Sequence, residues 1–139
     1  MNSYELMDKG FKEWYDFNFN NKKELERKLE NIEAPAVFVI RNCKSFGRFF
    51  GESDIVYIGN ATAEGNRERV LYSRILQCFN PGPTQKTNQR IFQLLQELST
   101  LQISWVTVSS PEDAKNLKKE LLKLYELDHK ELPPLNRQE

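Results

Sequence analysis

Apolar positions recur at helical spacing in five stretches of the chain, and three other stretches are rich in strand-forming residues. Tyr4, Met7, Phe11, Trp14 and Tyr15 share one face of a helix predicted over residues 3–16, weakened at Gly10. Leu25, Leu29 and Ile32 line a second helix over residues 21–32, with Asn21 placed to cap it. "APAVFVIR" reads as a first strand with Pro35 at its start, and "DIVYIG" as a second. The two form a hairpin with a long connection, "NCKSFGRFFGES". Phe46, Phe49 and Phe50 in that connection are expected to fold back as a satellite core; the alternative is that they stack on bases.

"ATAEGNRERVLYSRILQCF" starts as a loop and becomes a helix with Val70, Leu71, Ile75 and Cys78 inward, ended by "NPGP". Ile91, Leu94, Leu95 and Leu98 mark a fourth helix, and "QISWVTVS" a third strand. Ser110, Pro111 and Asp113 supply the N-cap, N1 and N3 residues of the last helix, which "LPPLN" terminates. The predicted fold is α+β: a small three-stranded, mostly antiparallel sheet flanked by helices. Residues 1–34 read as an N-terminal helical extension and residues 35–139 as the domain proper.

At 139 residues the chain is long enough for one hydrophobic core. It has no apolar run that could span a membrane and no signal-peptide pattern. Cys43 and Cys78 lack metal-ligand spacing, and His129 alone cannot build a zinc site; free thiols in a reducing, cytoplasmic setting are expected. Charge balances overall at 20 basic and 20 acidic residues, yet residues 41–90 hold eight basic residues against four acidic ones. That basic middle softens what zero net charge says against a nucleic-acid binder. No phosphate-binding P-loop and no dinucleotide fingerprint is present.

The strand "AVFVI", the strand "VYIG", the helix "SRILQCFNPG" and the closing "A…LL..Y…LPPLN" together resemble the GIY-YIG nuclease superfamily, over Ala36 to Asn136. The resemblance implies phosphodiester hydrolysis with nucleic acid, DNA ahead of RNA, as partner. It implies tyrosines near the scissile phosphate, a helix arginine on the phosphoryl charge, a glutamate holding one divalent metal such as Mg2+, and a C-terminal asparagine ordering the site. Carried over, the catalytic positions are Tyr57, Arg74 and Asn136, and the phosphate-binding ones Gly59, Asn60, Arg67 and Lys118. Arg69 is a rival for the arginine.

Two positions depart from the pattern. Phe38 stands where the first motif has a tyrosine, so that hydroxyl is missing. Lys118 stands at the glutamate position, counted from Ala114 and back from Leu121-Leu122, and an ammonium cannot ligate a hard cation. Glu120, two residues on, lies about 200° around the helix. Three functions follow: a phosphodiesterase tolerating a divergent site, an inactive nucleic-acid-binding module, or a protein-interaction domain on the same fold. Oligomeric state is not legible.

Overall fold

The structure, a computed structural model, describes residues 1–62, 70–98 and 100–136. Four strands, β1 (Tyr15–Phe17), β2 (Ala36–Gly47), β3 (Glu52–Ala61) and β4 (Leu101–Thr107), form one sheet in the order β1-β4-β2-β3. Every neighbouring pair is antiparallel. Four α-helices, α1 (Lys22–Leu29), α2 (Val70–Leu76), α3 (Lys86–Glu97) and α4 (Pro111–His129), accompany it. The α+β class stands, but the sheet has four strands rather than three.

The extra strand comes from the predicted first helix. Residues Ser3–Lys9 form a 3-10 helix that stops at Gly10, whose φ of 100° is left-handed and suits glycine. The chain then straightens, and Tyr15 to Phe17 pair with Ile103 to Leu101 at the sheet edge. Leu6 and Phe11 bury their side chains, but Tyr4 and Met7 of the expected stripe are 70% and 55% exposed, so the helix is shorter than the spacing suggested and buries a different face.

The long loop of the first hairpin is also shorter than the sequence suggested. β2 and β3 run on to Gly47 and Glu52, leaving a four-residue turn. Two register shifts keep the ribbon paired. Ile40 faces Tyr57 while Arg41 faces Ile55, so Val56 is left over as a bulge. Phe49 and Phe50 do not fold back: they are 75% and 51% exposed, and stack edge to face at 5.1 Å. Only Phe46 packs against the core.

The sheet is covered on both faces. Phe38, Ile40, Tyr57 and Ile103 pack with Leu25, Leu71, Ile75, Ile91 and Leu95 of α1, α2 and α3. Val37, Val39, Ile55 and Ile58 pack with Leu6 and Phe11 and with Ala114, Leu121 and Tyr125 of α4. Burial on both faces explains why β2 reads as a continuous apolar run rather than an alternation. Helix α4 opens as expected, with the Ser110 hydroxyl accepting from the Asp113 N–H at 3.1 Å and Pro111 in the first turn. Among the described residues no helix is long and apolar enough to cross a membrane.

Candidate functional site

Between Tyr57 and Ala61, β3 presents odd-numbered residues to α2 and α3 and even-numbered ones to α4. Tyr57 and Gly59 therefore share a face, two residues apart. The Tyr57 ring and the Phe38 ring, 5.8 Å between centroids, meet over Gly59. A Cβ there would lie 2.5 Å from Phe38 Cζ and 2.6 Å from Tyr57 Cε2. The glycine is thus required by close approach. The chain does not turn at Gly59, since β3 continues to Ala61.

Arg74 on α2 reaches this cluster. Its Nη2 donates to the Tyr57 hydroxyl at 3.0 Å, and its Nη1 donates to Asn88 Oδ1 at 2.7 Å. Its guanidinium carbon lies 5.7 Å from the Phe38 ring centre. Both acceptors are neutral, and among the described residues no carboxylate pairs with Arg74. By contrast Arg48 pairs with Glu131, and Arg27 with Glu24. Tyr57 itself is only 5% exposed, so the half-buried guanidinium is the group that meets solvent. It borders a cavity of about 350 Å³ lined also by Gln77, Thr84, Gln85, Lys86, Thr87 and Asn88.

Asn88 was not foreseen. It is 4% exposed, and its Nδ2 donates to Gln85 Oε1 at 3.1 Å while Oδ1 holds Arg74. A signal existed: Asn88 is a polar residue in line with Ile91 and Leu95 on the buried stripe of α3. Cys78 lies beside it, 3.7 Å from Asn88 Oδ1. Burial pushes that thiol up to about 12, against the opposing pull of Arg74, so it remains an inert thiol.

Asn60 and Lys118 meet in a second cavity, on the α4 side of the sheet. It measures about 430 Å³ and is lined by Asn60, Thr62, Lys115, Asn116, Lys118, Lys119 and Leu122. Glu120 is elsewhere, paired with Lys9 at 3.1 Å. This donor set does not suit a divalent cation: it offers three ammonium groups and no carboxylate among the described residues. Nor does any cluster of three His, Cys, Asp or Glu that could hold a metal occur among the described residues.

Asn136 lies at the edge of β3, outside the linings of both these cavities. Its Oδ1 accepts from the Ile58 N–H at 2.9 Å and its Nδ2 donates to the Ile58 carbonyl at 2.8 Å. Leu135 N–H adds a bond to the Val56 carbonyl at 3.0 Å. The segment thus pairs with the open edge of β3 as a short strand would. Asn136 borders a third cavity with Arg48, Glu126 and Glu131, separate from the one beside Arg74. Arg67 and Arg69 lie outside the described residues.

The fold and site together define an α+β domain whose antiparallel sheet carries an arginine–tyrosine pair on one face and a lysine-lined cavity on the other. Among solved structures, the chain is similar to the GIY-YIG N-terminal endonuclease domain of UvrC from Thermotoga maritima, a point mutant bound to its catalytic divalent cation. Identity is 24%, the match covers 83% of this chain and 98% of that one, and the TM-score is 0.49. No family model matches the chain, and no curated protein does.

Proposed function

We propose that this chain is a GIY-YIG-like domain that binds the phosphate backbone of nucleic acid at Arg74, without the family's divalent-metal step at the α4 position. The observation that carries the reading is the state of Arg74. A half-buried guanidinium normally has a carboxylate; this one is aimed by two neutral acceptors, Tyr57 and Asn88, and borders an open cavity with Lys86. Its charge is left for an anion. A guanidinium matches phosphate oxygens in shape as well as charge.

Each neighbour has a part. Phe38 packs beneath the guanidinium but has no hydroxyl to offer a reacting water. Tyr57 accepts from Arg74 and fixes its direction. Gly59 allows the two rings to meet. Lys86, Thr84 and Thr87 supply further donors around the cavity. Hydrolysis stays as a second reading because the Arg74–Tyr57 pair, which the family resemblance assigns to the scissile phosphate, is in place. DNA is the preferred partner and the cytoplasm the preferred compartment in this reading.

The test is a salt titration of binding to labelled single and double strands, run with supercoiled-plasmid cleavage in Mg2+, in Mn2+ and in chelator. Binding is expected to weaken steeply with salt, with a shallower slope in Arg74→Gln, since each phosphate contact releases counterions. Unchanged binding in that variant would sink the proposal. Metal-dependent nicking lost in Arg74→Gln would replace it with the hydrolytic reading.

A further inference from the structure

Arg74 is held by a relay of side-chain amides that runs back to the turn between α2 and α3. We propose that Asn88, fixed by Gln85, is the positioning residue of the Arg74 site: it aims the guanidinium and, being an amide, leaves the charge to a phosphate. The inference rests on the backbone-binding reading above and deepens it.

The polarity of the relay is set from both ends. At one end the Gly82 N–H can only donate, so the Gln85 atom it meets at 3.0 Å is the oxygen Oε1. At the other end the guanidinium can only donate, so the Asn88 atom that Arg74 meets at 2.7 Å is Oδ1. Asn88 Nδ2 is then left to face Gln85 Oε1, and it does so at 3.1 Å. Turning either amide over would set donor against donor at one contact and spoil a second. The Gly82 carbonyl accepts from Gln89 Nε2 at 2.8 Å, which ties the turn to α3. The Cys78 thiol, kept protonated by burial, lies 3.7 Å from Asn88 Oδ1 and adds only a weak donor. Asn88 is 4% exposed, so water does not compete for these atoms.

Two local features would favour a carboxylate where Asn88 stands. With Gln85 as N-cap, Asn88 lies in the first turn of α3, where the helix dipole favours an acid, yet that turn carries none. Asn88 also faces a guanidinium, with which an acid would close an ion pair. Asparagine has the shape and the acceptor of aspartate without the charge. It therefore holds Arg74 by a neutral hydrogen bond, and the guanidinium keeps further N–H groups for the oxygens of a ligand. Arg74 is pointed as a salt bridge would point it, while its cation stays uncompensated by any described carboxylate.

The experiment uses the full chain in chelator with a labelled single strand of about 12 nucleotides. Affinity is followed against salt for Asn88→Asp, Asn88→Leu and Gln85→Leu, alone and in an Arg74→Gln background, each checked for fold by circular dichroism. Asn88→Asp keeps the acceptor and adds the charge. It should bind about tenfold weaker and flatten the log–log salt slope by about 0.7–0.9, the share of one phosphate contact, as Arg74→Gln does. Asn88→Leu and Gln85→Leu remove the aim and keep the charge. Both should bind about fivefold weaker, the worth of one hydrogen bond, on the parent's slope. None should weaken binding further in Arg74→Gln, because all act through that residue. Parent-like affinity and slope in Asn88→Asp overturn the proposal, as does a further loss in the Arg74→Gln background. Should Asn88→Asp fail to fold, Gln85→Leu decides, and parent-like binding there overturns it. If Arg74→Gln itself binds as the parent does, the backbone reading falls and inorganic pyrophosphate becomes the probe. Pyrophosphate binding that Asn88→Asp abolishes upholds the relay; binding that is unchanged or absent ends it.

Discussion

Replacing Gly59 with alanine tests the account of this site more sharply than any charge reversal. The added Cβ would sit 2.5 and 2.9 Å from two atoms of the Phe38 ring and 2.6 Å from the Tyr57 ring. Carbon atoms rest at about 3.5–4.0 Å, so each ring must retreat by roughly 1 Å. Phe38 is fully buried between Arg74 and the core and has no space to retreat into. Overpacking of this kind costs about 1–3 kcal/mol. At this chain length that is a fall in Tm of roughly 3–15 °C. Moving the Tyr57 ring also carries its hydroxyl off Arg74.

The assay is urea unfolding of Gly59→Ala, with Gly47→Ala as the control because a Cβ at Gly47 meets nothing within 4 Å. The same change is then made in a Phe38→Leu background, where the smaller side chain leaves room. Gly59→Ala should cost clearly less there. A cost below about 0.5 kcal/mol in the parent, or an equal cost in both backgrounds, would refute ring crossing as the reason for the glycine.

Two further outcomes are expected. Asn136→Ala removes both partners of Ile58 on the edge of β3; stability should fall by about 1–3 kcal/mol, and sedimentation should reveal concentration-dependent association through the opened edge. In the folded chain only the exposed Cys43 should react with a thiol reagent, and Cys78 should follow on unfolding. The Cys78 thiol is raised by burial from 9.0 to about 12, so the folded state keeps its proton where the unfolded state has lost it. Its contribution is full below pH 9 and is lost as pH climbs through about 12. Cys78→Ala should make the alkaline decline in stability shallower, and an unchanged decline would contradict the assignment.

The helices α1, α3 and α4 were legible because their buried stripes keep a regular spacing, as with Ile91 and Leu95. The fourth strand was not. Tyr4 to Tyr15 fit a helical face, but Gly10 turns the chain, and pairing with β4 overrides local preference from Tyr15 onward. The extension of the hairpin through Cys43 and Lys44 was hidden by glycines and polar residues in a ribbon that reaches beyond the core. Of the candidate site residues, Tyr57 and Arg74, named separately in the sequence, touch in the structure. Asn136 bonds to the edge of β3 at Ile58, a pairing that leaves no trace in composition. Lys115 and Lys119 line a cavity with Asn60, yet in sequence they look like ordinary helix lysines.

The bulge at Val56 has a consequence of arithmetic. The two faces of a strand are a matter of odd and even count, and one surplus residue changes the count. Ile55 and Ile58, three apart, both lie against α4, while Tyr57 and Gly59 lie against α2. Deleting Val56 would leave Ile55 and Ile58 two apart on one face of a regular ladder, with Tyr57 between them on the other. The bulge therefore sets a second residue beside Tyr57 on the α2 face without moving either half of β3. A single deletion is expected to keep the faces in register at Val56, whereas one between Tyr57 and Ala61 would turn the residues beyond it to the wrong side.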